Sequence, residues 1–238
     1  MSESHSHGCH PSAPEDVPGG AKTLTAKAVD AGAAMLQSLE PIKAFQQHVC
    51  TWAIFSHDMN RKIQTHHHAA RLNDDFLQCA VYDSDQSNAR LIGVEYVVSE
   101  NVFKDLPPEE KKLWHSHEFE IREGLWVNPG VPETVEKQEV KGLAHTYGKF
   151  WCTWQFDRGD VLPMGMPALM MSPQAEEPGR IPNDSVDKRD AMYGISSSSR
   201  KHNRADIPRM TLDPNSDRWR ATGKGFEVDL KEVVMSMG

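Results

Sequence analysis

"ARLIGVEYVVSE", residues 89–100, is the stretch on which the fold turns. Aliphatic and β-branched residues dominate it, and such a run between polar flanks reads as a β-strand. One residue stands out in it: Glu95. A carboxylate among such neighbours must be hydrogen-bonded, ion-paired, bound to a metal or protonated. A buried glutamate paired with an arginine or histidine is the structural alternative to a chemical role.

Before this strand, "NDDFLQCAVYDSD" holds a short apolar run from Cys79 to Tyr82, and Ile42 to Cys79 reads as helical or irregular. After it, "NVFKDLPPEEKKLW" predicts a short helix opened by Pro107 and Pro108, with Glu109 and Glu110 near its positive end. "GLWVNPGVP" reads as a short strand broken by turn residues. "ETVEKQEVKGLAHTYG" reads as a helix stopped at Gly148. "KFWCTWQFD" and "PALMMS" are further strand candidates, with a turn at Arg158–Asp160. Residues 21–40 carry Leu24, Ala28, Ala31, Met35 and Leu39 on one helical face, ended by Pro41. That stripe either packs on the core or lies on a lipid surface.

Helices and strands do not alternate strictly, so the expected class is α+β. The expectation is a single domain with a small, mainly antiparallel sheet, flanking helices and an extended polar C-terminal segment. Residues 1–20, rich in Ser, Pro, Gly and His, form a disordered tail in this reading, and residues 21–172 form the core domain. Residues 173–238 wrap the core or are partly disordered, with a terminal strand or short helix in "GKGFEVDLKEVVMSMG".

The chain has 238 residues, a net charge of −8 and a pI near 5.8, which disfavours a generic grip on nucleic-acid phosphate. It has no apolar run of about 18 residues, so no transmembrane segment is expected. The opening lacks the charged and apolar regions of a secretory signal. Cys9, Cys50, Cys79 and Cys152 are scattered without a CxxC pair, which suits reduced thiols and a cytoplasmic protein. A homo-oligomer stays open. There is no G-x-S-x-G elbow, phosphate loop or G-x-G-x-x-G.

Twelve histidines are the compositional oddity. "HSHGCH" near the start could bind a transition metal loosely. On a helix, "HHHAARLNDD" would put His66 with Ala70, and His67 with Arg71 and Asp74. In "KKLWHSHEFEIREGLWVNPGVPE", residues 111–133, a strand would align His115 with His117. A helix through the same stretch would instead place His117 and Glu120 one turn apart. The candidate metal ligands are His66, His67, Glu95, His115, His117 and Glu120, and this donor set suits a divalent zinc, iron or manganese ion. A polar structural network is the competing reading, and an acid–base pair is the third. The spacing departs from the first metal motif of cupins, and no second motif follows. Trp114, Trp126, Trp151 and Trp154 are expected to build the core near the histidines, with Cys152 as a buried small hydrophobe.

Several stretches together carry a resemblance: "HHHAARLNDDFLQCAVYDSD", "ARLIGVEYVVSENVFKDLP", "WHSHEFEIREG", "TYGKFWCTWQFDRGDVLPMGMPALMMS" and "RADIP". Over about residues 30 to 210 the chain resembles the oil body-associated proteins of plants, fungi and bacteria. The resemblance implies a lipid-droplet or lipid-surface protein, cytoplasmic and at lipid droplets, that supports oil-body shape and stability, and it implies no reaction. A metal-binding protein or metal-dependent enzyme of unknown substrate is the alternative. His66, His67, Leu72, Asn73, Gln78, Glu95, Trp114, His115, His117 and Glu120 match the family pattern, as do Gly148, Lys149, Trp154, Gln155, Arg158, Gly159 and Asp160. Where that pattern carries a histidine after the Gly-Lys-aromatic segment, this chain has Cys152, whose thiolate could substitute as a ligand.

Overall fold

The computed structural model describes residues 17–175 and 177–236, so "HSHGCH" and most of the 1–20 tail lie outside the described residues. After helices α1 (Leu24–Leu36) and α2 (Glu40–Lys43) come four strands, β1 (Gln47–Phe55), β2 (Asp58–Asn73), β3 (Phe76–Tyr82) and β4 (Leu91–Ser99). Short helices α3 (Glu100–Phe103) and α4 (Pro108–Lys111) lead to β5 (His115–Ser116), α5 (Glu118–Arg122) and α6 (Glu133–Leu143). Strands β6 (Thr146–Cys152) and β7 (Ala168–Met171) follow, then α7 (Asn183–Tyr193), α8 (Ser197–Asn203) and α9 (Trp219–Thr222).

The α+β class and the antiparallel pairing are as expected, but the sheet is not small. β1 to β4 form a meander, β4 pairs with β6, β6 with β7, and β7 returns to β1, closing a six-stranded barrel. β5 lies against the first half of β6, beside β7. Closure leaves the six strands no free pairing edge along most of the ring.

The largest departure is at residues 47–79, which are strand rather than helix or irregular chain. β1 is buried on both faces, which erases the alternation that marks an ordinary strand. Val49, Ala53 and Phe55 join the barrel core, while Trp52 and Ile54 pack outward with Leu125 and Ile181. β2 hides its character differently, by placing polar Thr65 and His67 on the inner face between Ile63 and Ala69. Tight turns join these strands. Phe55 pairs with Asp58 across one, and the Asn73 side chain accepts the Asp75 amide at 2.9 Å in the next.

Other boundaries moved for local reasons. α1 is shorter than the 21–40 reading, and Pro41 sits in the first turn of α2 instead of ending α1. "GLWVNP" contributes one bridge, Val127 to Cys50, not a strand. α6 ends at Leu143, and Gly148 is a mid-strand residue of β6, not a helix stop. Trp114 and Trp126 are buried, whereas Trp151 and Trp154 are only half-buried.

Beyond residue 173, composition pointed to extended or partly disordered chain, yet α7 and α8 are helices that dock through buried arginines. Arg189 Nη1 donates to Leu125 O at 2.8 Å and Arg204 Nη1 to Ile121 O at 2.8 Å and Trp126 O at 2.9 Å. After α9 the described residues 223–236 hold neither the strand nor the helix expected there.

Candidate functional site

A polar cluster lies inside one part of the barrel, and each member reaches it by the pleat of its strand. The register sets His67 opposite Val49 and Val81, Glu95 opposite Cys79 and Phe150, and Gly148 opposite Val97 and His115. These are inward positions. The "HSHEFE" segment is neither all strand nor all helix. It changes from β5 to α5 at His117, the residue before the helix, so His115 faces in as a strand residue and His117 turns in at the helix start. Glu120 follows one helical turn later on the same side. Ser116, between the histidines, points away, and its amide and hydroxyl donate to Asp217 Oδ2 at 3.0 and 2.6 Å.

Glu95 is the centre. Its Oε1 lies 3.1 Å from His115 Nε2 and 3.5 Å from His117 Nε2, and its Oε2 lies 2.8 Å from His67 Nδ1. Glu120 Oε1 is 4.0 Å from His117 Nε2, and Thr51 Oγ1 donates to its other oxygen. Glu95 is 2% exposed and His117 1%, so bulk water screens nothing here. Burial alone would raise the Glu95 carboxyl. Coulombic attraction to His67 and the close contacts of the His115, His117 and His67 imidazoles outweigh it and hold Glu95 well below its ordinary range. Burial pushes Glu120 up to about 8, against the Thr51 hydrogen bond. Burial opposes charge on His115 too, but the Glu95 contact wins and raises it, while equally buried His117 is lowered.

Among the described residues, two overlapping triads bring ligand atoms within 4.8 Å of one another: Glu95, His115 and His117, and His67, Cys79 and Glu95. Burial and the Glu95 charge keep the Cys79 thiol well above its ordinary value. The cavity at the cluster measures about 10 Å³, room for about one water and no organic substrate.

The family model described as Protein of unknown function (DUF1264) matches residues 39–208. Oil body-associated protein 2B of Zea mays is 51% identical over 222 residues, 92% of this chain and 88% of that protein. Oil body-associated protein 2A of Arabidopsis thaliana is 52% identical over 223 residues, 92% of this chain and 89% of that one. The chain belongs to the oil body-associated protein family. Within that family, oil body-associated protein 1A of Zea mays is 38% identical over 220 residues, 92% of this chain and 90% of the relative. No solved structure matches the chain.

Of the six candidate ligands, His66 is not in the cluster. It sits on the opposite face of β2 from His67, where His48 and His68 stack at 5.0 Å between ring centroids. There His48 Nε2 and His66 Nδ1 share a hydrogen bond at 3.0 Å. Burial, then repulsion from His68, lowers His48 to about 4, and burial, then His48, lowers His66 to about 3. Between about pH 6.5 and 4 the unfolded chain therefore takes up protons that the folded chain refuses. Stability falls as pH drops through that window and is unaffected by these groups above it. A His48→Gln, His66→Gln variant is expected to lose less stability between those limits in urea melts. A slope equal to that of the parent would show that the pair carries no such load.

Cys152 does not stand in for a missing histidine ligand. Its thiol, pushed up to about 12 by burial, donates to Trp154 O at 3.4 Å and joins neither triad. Of the other family-pattern residues, Lys149, Gln155 and Trp154 also work elsewhere. Lys149 pairs with Glu110 at 2.6 Å, Gln155 Nε2 donates to Met166 O at 3.1 Å, and Trp154 Nε1 donates to Asp160 O at 2.7 Å. The sequence reading missed Thr51, Cys79 and Gly148 as members of the cluster. The strand alternation around Cys79 was the available signal for that residue.

A second feature lies outside the barrel. α1 has no buried residue, although a core-packed helix was one of its two expected fates. Leu24, Met35 and Leu36 are 85%, 86% and 88% exposed. No helix among the described residues is long and apolar enough to cross a membrane.

Proposed function

We propose that the chain is a peripheral protein of the lipid-droplet surface, binding and stabilising it through α1 while the barrel remains outside. The relatives' names associate them with oil bodies. The observation that carries the reading is the bare apolar face of α1, with Leu24, Ala28, Ala31 and Met35 in line and Leu36 beside them. Nothing else in the described chain buries any of these side chains. Thr23 caps the helix by accepting the Ala26 amide at 3.1 Å, so the helix is locally supported where it stands.

The face is small and alanine-rich, so attachment is reversible and scales with the apolar area it buries. The helix is close to neutral, with Lys22 paired to Asp30 at 2.8 Å, so anionic headgroups gain little on it. Flotation of the full chain with a phosphatidylcholine-coated triglyceride emulsion tests the proposal. Wild type is expected to float at low and high salt alike, and a Leu24→Glu, Met35→Glu, Leu36→Glu variant to partition at least about tenfold less. The melting temperature should not move, because those positions are exposed. Failure of wild type to float, or equal flotation of both proteins, removes α1 as the lipid contact.

A further inference from the structure

We propose that Glu95, His115 and His117 bind one divalent transition-metal ion inside the barrel. The lipid reading makes no use of this cluster, and the inference is independent of it. The first argument is where the protons lie. His115 Nδ1 contacts Met170 O at 3.2 Å, and a carbonyl only accepts, so that nitrogen carries the hydrogen. Thr146 Oγ1 spends its own hydrogen on Leu143 O at 2.6 Å, so it accepts from His117 Nδ1 at 2.8 Å. Both rings therefore turn their Nε2 atoms inward, and both face the same oxygen, Glu95 Oε1, at 3.1 and 3.5 Å. Nδ1–H anchored by a backbone carbonyl or hydroxyl, with Nε2 left free, is how proteins orient metal-binding imidazoles.

Three electron-rich atoms converging in a dry interior need a positive charge among them. One extra proton on either ring answers only one of the two contacts with Oε1. One ion answers both and takes the lone pairs of all three atoms at once. The second argument is space. A Cβ on Gly148 would lie 2.3 Å from Glu95 Oε1, 2.6 Å from His117 Nε2 and 2.7 Å from His115 Nε2. The missing side chain thus opens a gap that all three ligand atoms line. Zinc takes nitrogen and oxygen ligands at about 2.0–2.2 Å, so small closures of these side chains suffice. Two imidazoles and a carboxylate suit zinc, iron(II) or manganese(II). The neighbouring triad shares Glu95 but brings the Cys79 thiol, whose thiolate would give an ion bound there a different spectrum. With a cavity of about 10 Å³ the ion has room for a water and no substrate, so it fastens β4, β5 and the start of α5 together and does not catalyse.

The test uses the full, untagged chain, unfolded with chelator and refolded with zinc, iron(II), manganese(II) or cobalt(II) alone, then dialysed to clear loosely held metal. About one equivalent of at least one metal is expected to remain. Cobalt is expected to give visible ligand-field bands without a thiolate charge-transfer band. A folded His115→Ala, His117→Ala variant should hold less than about a tenth of an equivalent, while His66→Ala holds as much as wild type. Wild type that retains none of the four metals overturns the proposal whatever the variants do. So does full retention by the folded double variant, equal loss in His66→Ala, or a thiolate band placing the ion at Cys79.

Discussion

Replacing Glu136 by alanine is expected to cost about 3–5 kcal/mol of folding free energy, enough to leave many domains of this size marginal. Glu136 sits on α6 with its side chain fully enclosed. Its Oε2 accepts from Arg200 Nε at 2.7 Å and pairs with Arg204 Nη2 at 2.9 Å, while Oε1 accepts the Asn128 amide at 2.6 Å. Truncation strands two guanidinium groups and a backbone N–H where water cannot reach them. The same arginines hold α8 to α6, α5 and the segment after α5, so the variant should also expose the chain beyond residue 173 to protease. Glu136→Gln keeps the acceptor oxygen but loses the charge, and should fall between alanine and wild type. The exposed pair of Lys188 and Asp184, 3.6 Å apart, is the control: Asp184→Ala should change stability by less than about 0.5 kcal/mol in the same urea melts. A Glu136→Ala loss no larger than that control would mean the arginines find other partners or water.

That arginine layer also explains where sequence reading stops. β4 was legible because apolar residues fill it and polar ones bound it, and Glu95 was conspicuous for the same reason. β1 was not legible, since Trp52 and Ile54 meet a second layer outside the barrel and leave no polar face to reveal a period of two. α7 and α8 lacked an apolar stripe, because the residues they bury are Arg189, Arg200 and Ser197, which a hydrophobicity pattern counts as surface. Of the site, the carboxylates and the His-x-His pair could be chosen by residue type. Placing His66 correctly needed the strand, since adjacent residues on a strand face opposite ways. Gly148 offered no chemical signal at all. A glycine between a helix and an aromatic run reads as a stop, and only the closed barrel shows what it faces.

Gly148→Ala is accordingly the sharpest single test of the interior geometry, with an expected cost of about 3 kcal/mol. β4 and β5 pair with β6 on its two sides at this residue, so its backbone cannot retreat. The added methyl would meet Glu95 Oε1 at 2.3 Å and both inward imidazole nitrogens within 2.7 Å, so one of three buried polar groups must leave its partner. Backbone preference cannot explain such a loss, because Gly148 is not among the glycines of positive φ. Gly142, near the end of α6, supplies the opposite sign. A methyl there would meet nothing within 4 Å, so alanine should stabilise by about 0.5–1 kcal/mol. Contact also predicts non-additivity. In a Glu95→Ala background, where the nearest oxygen is gone, Gly148→Ala should cost at least about 1 kcal/mol less than in wild type. Additive losses, or a Gly148→Ala protein as stable as the parent, would show that this side of the barrel is loose enough to take a methyl. The three ligand atoms would then not be held to a common point, and neither a fixed polar network nor an ion could be located by their positions.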